Sequence, residues 1–250
     1  MGLRPSATAD CLHAERVVQA YLLGLVDFDA SLNLQRRLVY EVAGQRSQAA
    51  LVLCEHPPLI TVGRHGSRRH ILCEPDQLRT REWRVRWINR GGGTLLQLPG
   101  QLAIYAILAL DHFRLGVQTY LDGLHRAIAR TLDDFGIRGH TRPCKPGLWV
   151  GDRLIAATGI AVRHWVTYYG GVLNINPELT HFRLVECAGR GEQPMTSIAR
   201  ERRAPLRPAL VRERLLDHFA NEFGFARTSL FSQVPGLNLN NVADALATHS

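Results

Sequence analysis

One cysteine stands where a thiol could do covalent chemistry. Cys187 lies in the stretch FRLVECAGRGEQPMTSI (182–198), with turn formers on its C-terminal side. A cysteine that ends a strand at a loop is better placed to react than one inside a strand. Cys54, within the apolar run AALVLCE at residues 49–55, reads instead as a small core residue. The five cysteines (Cys11, Cys54, Cys73, Cys144, Cys187) are odd in number, without a CxxC pair or zinc-ligand spacing. Free thiols are therefore expected, with no disulfide framework, no metal and no cofactor. A second chemical feature is Arg90-Gly91-Gly92-Gly93-Thr94. Glycines let backbone N–H groups approach a ligand at positive φ, and Arg90 adds a fixed charge. The same pattern occurs in ordinary flexible turns. It matches neither G-x-x-x-x-G-K-[ST] nor G-x-G-x-x-G, so nucleotide binding is not the default reading.

Strand and helix patterns surround these residues. The apolar run 22–27 reads as a strand, and 31–42 as a helix with Ser31 as its cap. Residues 49–55 form a buried strand, His56-Pro57-Pro58 a rigid turn, and 59–63 a further strand. The polar, arginine-rich stretch 68–86 reads as a loop with a short helix near 74–78. Strands at 85–89 and 101–110 enter and leave the glycine loop. Residues 117–135 carry Leu121, Leu124, Ile128 and Leu132 on one helical face, with Gly136 where a C-terminal cap belongs. Residues 148–150 and 154–162 face each other across Gly151-Asp152 as a hairpin, and 168–175 adds a strand. A second amphipathic helix spans 206–223, and the polar tail after Gln233 is expected to be poorly ordered.

Composition suits a single domain: 250 residues, 46% hydrophobic and 21% charged, fill one large core. No apolar run approaches the roughly 18 residues needed to span a bilayer, and the N-terminus lacks a secretory core, so a cytoplasmic protein without membrane partners is expected. Formal net charge is +8, and of the 30 Lys and Arg residues only Lys145 is a lysine. Such a surface attracts acidic partners. Without a helix-turn-helix, zinc finger or aromatic RNA-binding signature, acidic proteins are preferred to nucleic acid as those partners.

Five segments together resemble one family. EHPPLITVGR (55–64), NRGGGT…PGQLAIY (89–105), GLWVGDRLIAATGIAV (147–162), YGGVLNIN (169–176) and ECAGRGEQPMTSI (186–198) occur in the order and spacing of the LipB-type lipoyl(octanoyl) transferases. The resemblance covers about residues 20–225. It implies an α/β (α+β) fold of the biotin/lipoate protein ligase type, a mixed sheet flanked by helices, with the catalytic domain at 20–232 between an N-terminal extension (1–19) and a C-terminal tail (233–250). It also implies octanoyl transfer from octanoyl-acyl carrier protein to a lysine of lipoyl domains, those of the 2-oxoacid dehydrogenases and the glycine cleavage H protein. Cys187 matches the family nucleophile, which carries the acyl chain as a thioester. Substrate contacts fall on Arg64, Arg90, Gly91, Gly92, Gly93, Thr94, Gln97, Ala157, Thr158, Gly159, Tyr169 and Gly170.

The chain departs from that family at polar positions. The lysine that activates the thiol aligns with Leu154, and usual histidines align with Gln97 and Tyr169. Glu186 and Ala188 flank the cysteine where proline and glycine are usual. An unassisted thiol is only a few per cent thiolate at pH 7, and positioned acid–base help is worth about 10²–10⁴. A carboxylate at Glu186 would raise the thiol pKa further if the two side chains approach. Arg153 alternates to the other strand face and cannot act as a base. Lys145, counted along a regular strand, falls roughly 13 Å from the position opposite Leu154, a poor candidate unless its loop folds back. His56, His164 and His181 are further candidates, although a histidine is more often structural. A non-catalytic relative that binds an acyl group, carrier protein or lipoyl domain is the alternative. An ATP-dependent lipoate ligase is a third reading, one that needs its own lysine.

Overall fold

The computed structural model describes residues 16–143, 145–187, 194–204 and 206–234. Eight strands form the larger sheet, in the order β11 (Arg227–Phe231), β1 (Val17–Leu25), β2 (Ala49–Glu55), β6 (Gln101–Leu108), β10 (Val166–Asn174), β9 (Arg153–Arg163), β8 (Lys145–Val150) and β7 (His140–Arg142). A smaller sheet places β3 (Leu59–Val62) between β4 (Arg84–Trp87) and β5 (Thr94–Gln97). β1 runs parallel to β2 and β11, and β3 runs parallel to β4, while the remaining pairs are antiparallel. The mixed sheet with flanking helices is the expected fold class.

Helix α1 (Phe28–Gly44) buries Leu34, Leu38 and Val42 at helical spacing against one face of the large sheet. Each such side chain contributes about 1.5–3 kcal/mol of burial before its entropy cost. The helix begins three residues earlier than expected, because Asp27 is the cap. Its carboxylate accepts from the backbone N–H groups of Asp29 and Ala30 at 2.9 and 3.1 Å, where negative charge is also favoured by the helix dipole. Ser31 is instead buried inside the first turn and donates to the Phe28 carbonyl at 2.9 Å. The short helix α2 (Pro75–Thr80) lies in the arginine-rich stretch.

On the other face, α3 (Val117–Asp134) and α5 (Pro208–Phe223) close the principal core. Leu124, Ile128 and Leu132 meet Leu215, Phe219 and Phe223 over the inward residues of β1, β2 and β6. The short helix α4 (Ile198–Arg202) precedes α5. A third cluster fills the space between the small sheet and the β8–β9 hairpin, joining Ile60, Val62 and Leu96 to Trp149, Leu154, Cys187 and Met195. That seam positions the candidate site.

No helix among the described residues is long and apolar enough to cross a membrane. Cys54, Cys73 and Cys187 are free thiols. Cys11, Cys144 and Ala188, residues 1–15 of the expected N-terminal extension and residues 235–250 of the tail lie outside the described residues.

Candidate functional site

The segment leading to Cys187 is fixed just ahead of the cysteine. A helical turn at Leu179–Leu184 is followed by a bridge between Val185 and Ile71, and the Glu186 N–H donates to the His70 carbonyl at 2.8 Å. This delivers Cys187, only 4% exposed, into the seam between the sheets. Burial pushes its thiol up to about 11, partly opposed by a backbone hydrogen bond from Leu96 and by the Arg90 charge. The principal cause of the rise is thus desolvation rather than the neighbouring Glu186 carboxylate. At pH 7 a thiol of that pKa is only about one part in 10⁴ thiolate.

Arg90 enters the seam from the turn between β4 and β5. Its guanidinium donates to Thr61 Oγ1 at 2.9 Å, to the Thr61 carbonyl at 3.1 Å and to the Gly91 carbonyl at 3.0 Å. Burial lowers its pKa to about 10, which still leaves it cationic at neutral pH. The glycine loop after it is tied down by its own backbone. Gly63, Arg64 and His65 donate to the carbonyls of Gly93, Arg90 and Gly92 at 3.0–3.1 Å, and Gly91 N–H donates to Ile160 at 2.7 Å. Only Gly92 of the three takes a positive φ, +85°, where a side chain would be strained.

Two small cavities meet beneath Arg90. The first is lined by Cys187, Arg90, Gly92, Gly93, Leu95, Lys145, Pro146, Trp149, Leu154, Ala157 and Thr158, and the second by Arg90, Leu95, Gln97, Ala157, Gly159, Tyr169, Gly170 and the apolar side chains of Phe28, Ile88, Tyr105 and Val172. Arg90, Leu95 and Ala157 face both, so they form the partition. Each cavity holds about 20 Å³, room for about one water. Three lining residues carry a buried polar atom without a hydrogen-bond partner among the described residues: Arg90 Nε, Gln97 Oε1 and Trp149 Nε1. Since buried polar groups are normally satisfied, three orphans around two adjoining cavities mark a place suited to a polar ligand. A larger cavity, about 370 Å³, lies away from the thiol, between α1 and the β9–β10 turn, and shares only Tyr169 with the pair.

Among the sequence-predicted residues, Arg64 is exposed beside Gly91, and Thr94 is buried with its hydroxyl toward the Ser67 carbonyl. Neither of them, nor Gly91, lines the paired cavities. Tyr169 adopts φ +58° and is held through its N–H by Gln35 at 2.9 Å, and burial raises its phenol to about 12. Thr158 directs its hydroxyl to His125 Nε2 at 3.0 Å.

Leu154 is buried on the cavity wall, paired with Trp149 on one side and bridged to Met195 on the other. Arg153 is committed elsewhere, forming a bidentate pair with Glu201 at 3.0 Å for each contact. The strand that carries Lys145 is irregular. β8 shifts register between Leu148 and Trp149, and Gly147 takes φ +112°, with a Cβ there falling 2.2 Å from the Ala156 carbonyl. Lys145 lines the Cys187 cavity, and its Nζ lies 5.5 Å from the centroid of the Trp149 ring. The available signal was the Pro146-Gly147 break immediately after the sole lysine. The three candidate histidines are placed elsewhere: His56 is buried between Val26 and Tyr105, His164 sits in the β9–β10 turn, and His181 packs edge-on against Trp83.

Comparison with known proteins agrees with this architecture. The lipoate protein ligase of Thermoplasma acidophilum, solved as a bipartite ligase and its E2 lipoyl domain, superposes with a TM-score of 0.64 at 14% identity, covering 93% of each chain, and shares the fold. Octanoyltransferase of Solibacter usitatus is 35% identical over 219 residues, 87% of this chain and 95% of its own length. Octanoyltransferase of Syntrophobacter fumaroxidans is 36% identical over 178 residues, 71% of this chain and 78% of its own. Octanoyltransferase of Porphyromonas gingivalis is 30% identical over 212 residues, 80% of this chain, and this alignment spans only 43% of that relative. The model of the lipoyl protein ligase A/B catalytic domain matches residues 27–220, and the chain belongs to that family.

Proposed function

We propose that the chain transfers an octanoyl group, in the cytoplasm, from octanoyl-acyl carrier protein to a lysine of a lipoyl domain through a thioester on Cys187. The observation that carries this reading is the pair of adjoining cavities: a thiol and a buried cation face one, and Phe28, Ile88, Tyr105 and Val172 make the other apolar. The acyl chain occupies the second cavity, which places its carbonyl carbon at the Arg90 partition next to Cys187. Both cavities are too small for eight carbons as they stand, so the half-buried Leu95 moves aside on binding. Trp149 Nε1–H and Arg90 Nε–H are donors available to the carbonyl oxygen. The relatives named above are octanoyltransferases, which supports octanoyl as the acyl group. The excess of basic residues suits docking of acidic carrier and lipoyl domains.

A second reading, a relative that binds an acyl group or a lipoyl domain without turning it over, draws on Leu154 and on the raised thiol pKa. Intact mass separates the two. The full chain is mixed with octanoyl-acyl carrier protein, beside Cys187→Ser, and an apo lipoyl domain is then added. The transferase reading expects an octanoyl adduct that is absent from the variant and passes to the lipoyl domain. No adduct on the unmodified chain, with carrier protein still bound, establishes the binding relative instead.

A further inference from the structure

We propose that Lys145, which lines the Cys187 cavity at the start of β8, is the catalytic group that holds and moves the proton for this thiol. The inference rests on the thioester reading above. A thiol held near 11 cannot attack at neutral pH without a partner. The residues lining its cavity offer few. Gly92, Gly93, Leu95, Pro146, Leu154 and Ala157 carry no titratable group, the Thr158 hydroxyl is turned to His125, and Trp149 is a donor only. Arg90 supplies charge, but a guanidinium does not give up its proton under these conditions. Among the described residues Lys145 is the remaining cavity-lining group able both to donate and to accept, and the chain has no other lysine. It is not neutralised by a close carboxylate. Among the described residues its Nζ has no ion-pair or hydrogen-bond partner; Asp152, which feels its charge, is paired with Arg142, and Arg142 covers the Trp149 ring at 4.9 Å.

The proton count closes over both half-reactions. The reactive state is a Cys187 thiolate beside a Lys145 ammonium. The thiolate attacks the carbonyl carbon of the incoming thioester, the bond from that carbon to the donor sulfur breaks, and the ammonium protonates the departing donor thiolate. An acceptor amine then attacks the Cys187 thioester. Its surplus proton goes to the Lys145 amine as the bond to Sγ breaks, restoring thiolate and ammonium. Arginine at position 145 could perform the charge stabilisation of the first half but not the proton acceptance of the second.

The test measures octanoylation of Cys187 by intact mass, using octanoyl-pantetheine as donor from about pH 6 to about pH 10, followed by transfer to an apo lipoyl domain. Lys145→Met is expected to slow acylation about a hundredfold at pH 7, with the deficit shrinking as pH rises and the thiolate forms unaided. Lys145→Arg is expected to regain the part of the first half-reaction that charge stabilisation supplies, while remaining slow in the second. Leu154→Lys placed in the Lys145→Met background, across the same cavity, is expected to restore acylation at neutral pH. Undiminished acylation by Lys145→Met with an unchanged pH profile overturns the inference and leaves the thioester reading intact. An adduct absent from the unmodified chain overturns both. A merely structural role for Lys145 predicts a uniform loss at every pH with no separation of the half-reactions, which equally overturns it.

Discussion

Cys54 and Cys187 are both fully buried, yet their surroundings differ in kind. Cys54 lies on β2 under α1, with its sulfur 3.6 Å from His56 Nε2, and that nitrogen is 2.8 Å from the Tyr105 hydroxyl. Burial raises its thiol far beyond the ordinary range, and the Glu55 charge pushes in the same direction. His56, desolvated, is lowered to about 4 and stays neutral, so it offers the thiol no positive charge. Cys187 suffers the same desolvation, but a backbone hydrogen bond from Leu96 and the Arg90 charge oppose it, and a cavity adjoins it. Burial alone therefore does not separate a structural thiol from a reactive one. An opposing charge and room for a reactant do.

The sharpest break of this comparison is the pair of single substitutions. Cys187→Ser is expected to lower octanoyl transfer at least about 10³-fold, whereas Cys54→Ala keeps transfer within about twofold and loses only about 1–2 kcal/mol of stability. Loss of transfer in well-folded Cys54→Ala would reverse the assignment.

A smaller effect concerns acid stability. The folded pKa of His56 is depressed, so the unfolded chain binds its proton first as pH falls. Stability contributed by the neutral imidazole is complete above the unfolded pKa of about 6.5, declines below it, and is lost as pH falls toward the folded value of about 4. The full change is about 3 kcal/mol. Urea unfolding at a series of pH values should show this slope, and His56→Gln should flatten it at the cost of lower stability at pH 7. A slope unchanged in the variant would assign acid sensitivity elsewhere.

The smallest effect sharpens the Cys187 side. Arg90→Gln removes an opposing charge, so the Cys187 thiol pKa moves upward from about 11 and alkylation at pH 8 slows, about tenfold if the rise is one unit. The rate should recover as pH increases. Alkylation that stays at the unsubstituted rate would show that the Arg90 charge does not reach the sulfur.

Local patterns made much of the fold legible. The apolar stripe of Leu124, Ile128 and Leu132 marks α3 because every third or fourth residue must face the sheet, and the Gly151-Asp152 turn marks the β8–β9 hairpin. Cap choice was less legible. Asp27 and Ser31 are both capping residues, and the choice between them depended on where the chain leaves β1. The parallel pairing of β11 with β1 joins residues about two hundred positions apart, and the separation of β3, β4 and β5 into a second sheet is equally remote from local pattern.

By itself, the sequence determined the main helices and strands through residue type and short-range spacing, and family membership and the absence of a lysine at position 154 through its resemblance to a known family. The strand expected ahead of Cys187 is instead a helical turn, Leu179–Leu184, followed by a single bridge at Val185. The tertiary structure decided how deeply Cys187 is desolvated, which charge opposes that cost, and that Arg64 stays outside the paired cavities while Leu95 and Trp149 line them. It also decided the position of Lys145. The register shift in β8 and the positive φ at Gly147 depend on the packing of β8 against β9, and the shared lining of one cavity by Lys145 and Cys187 is visible in the tertiary structure alone.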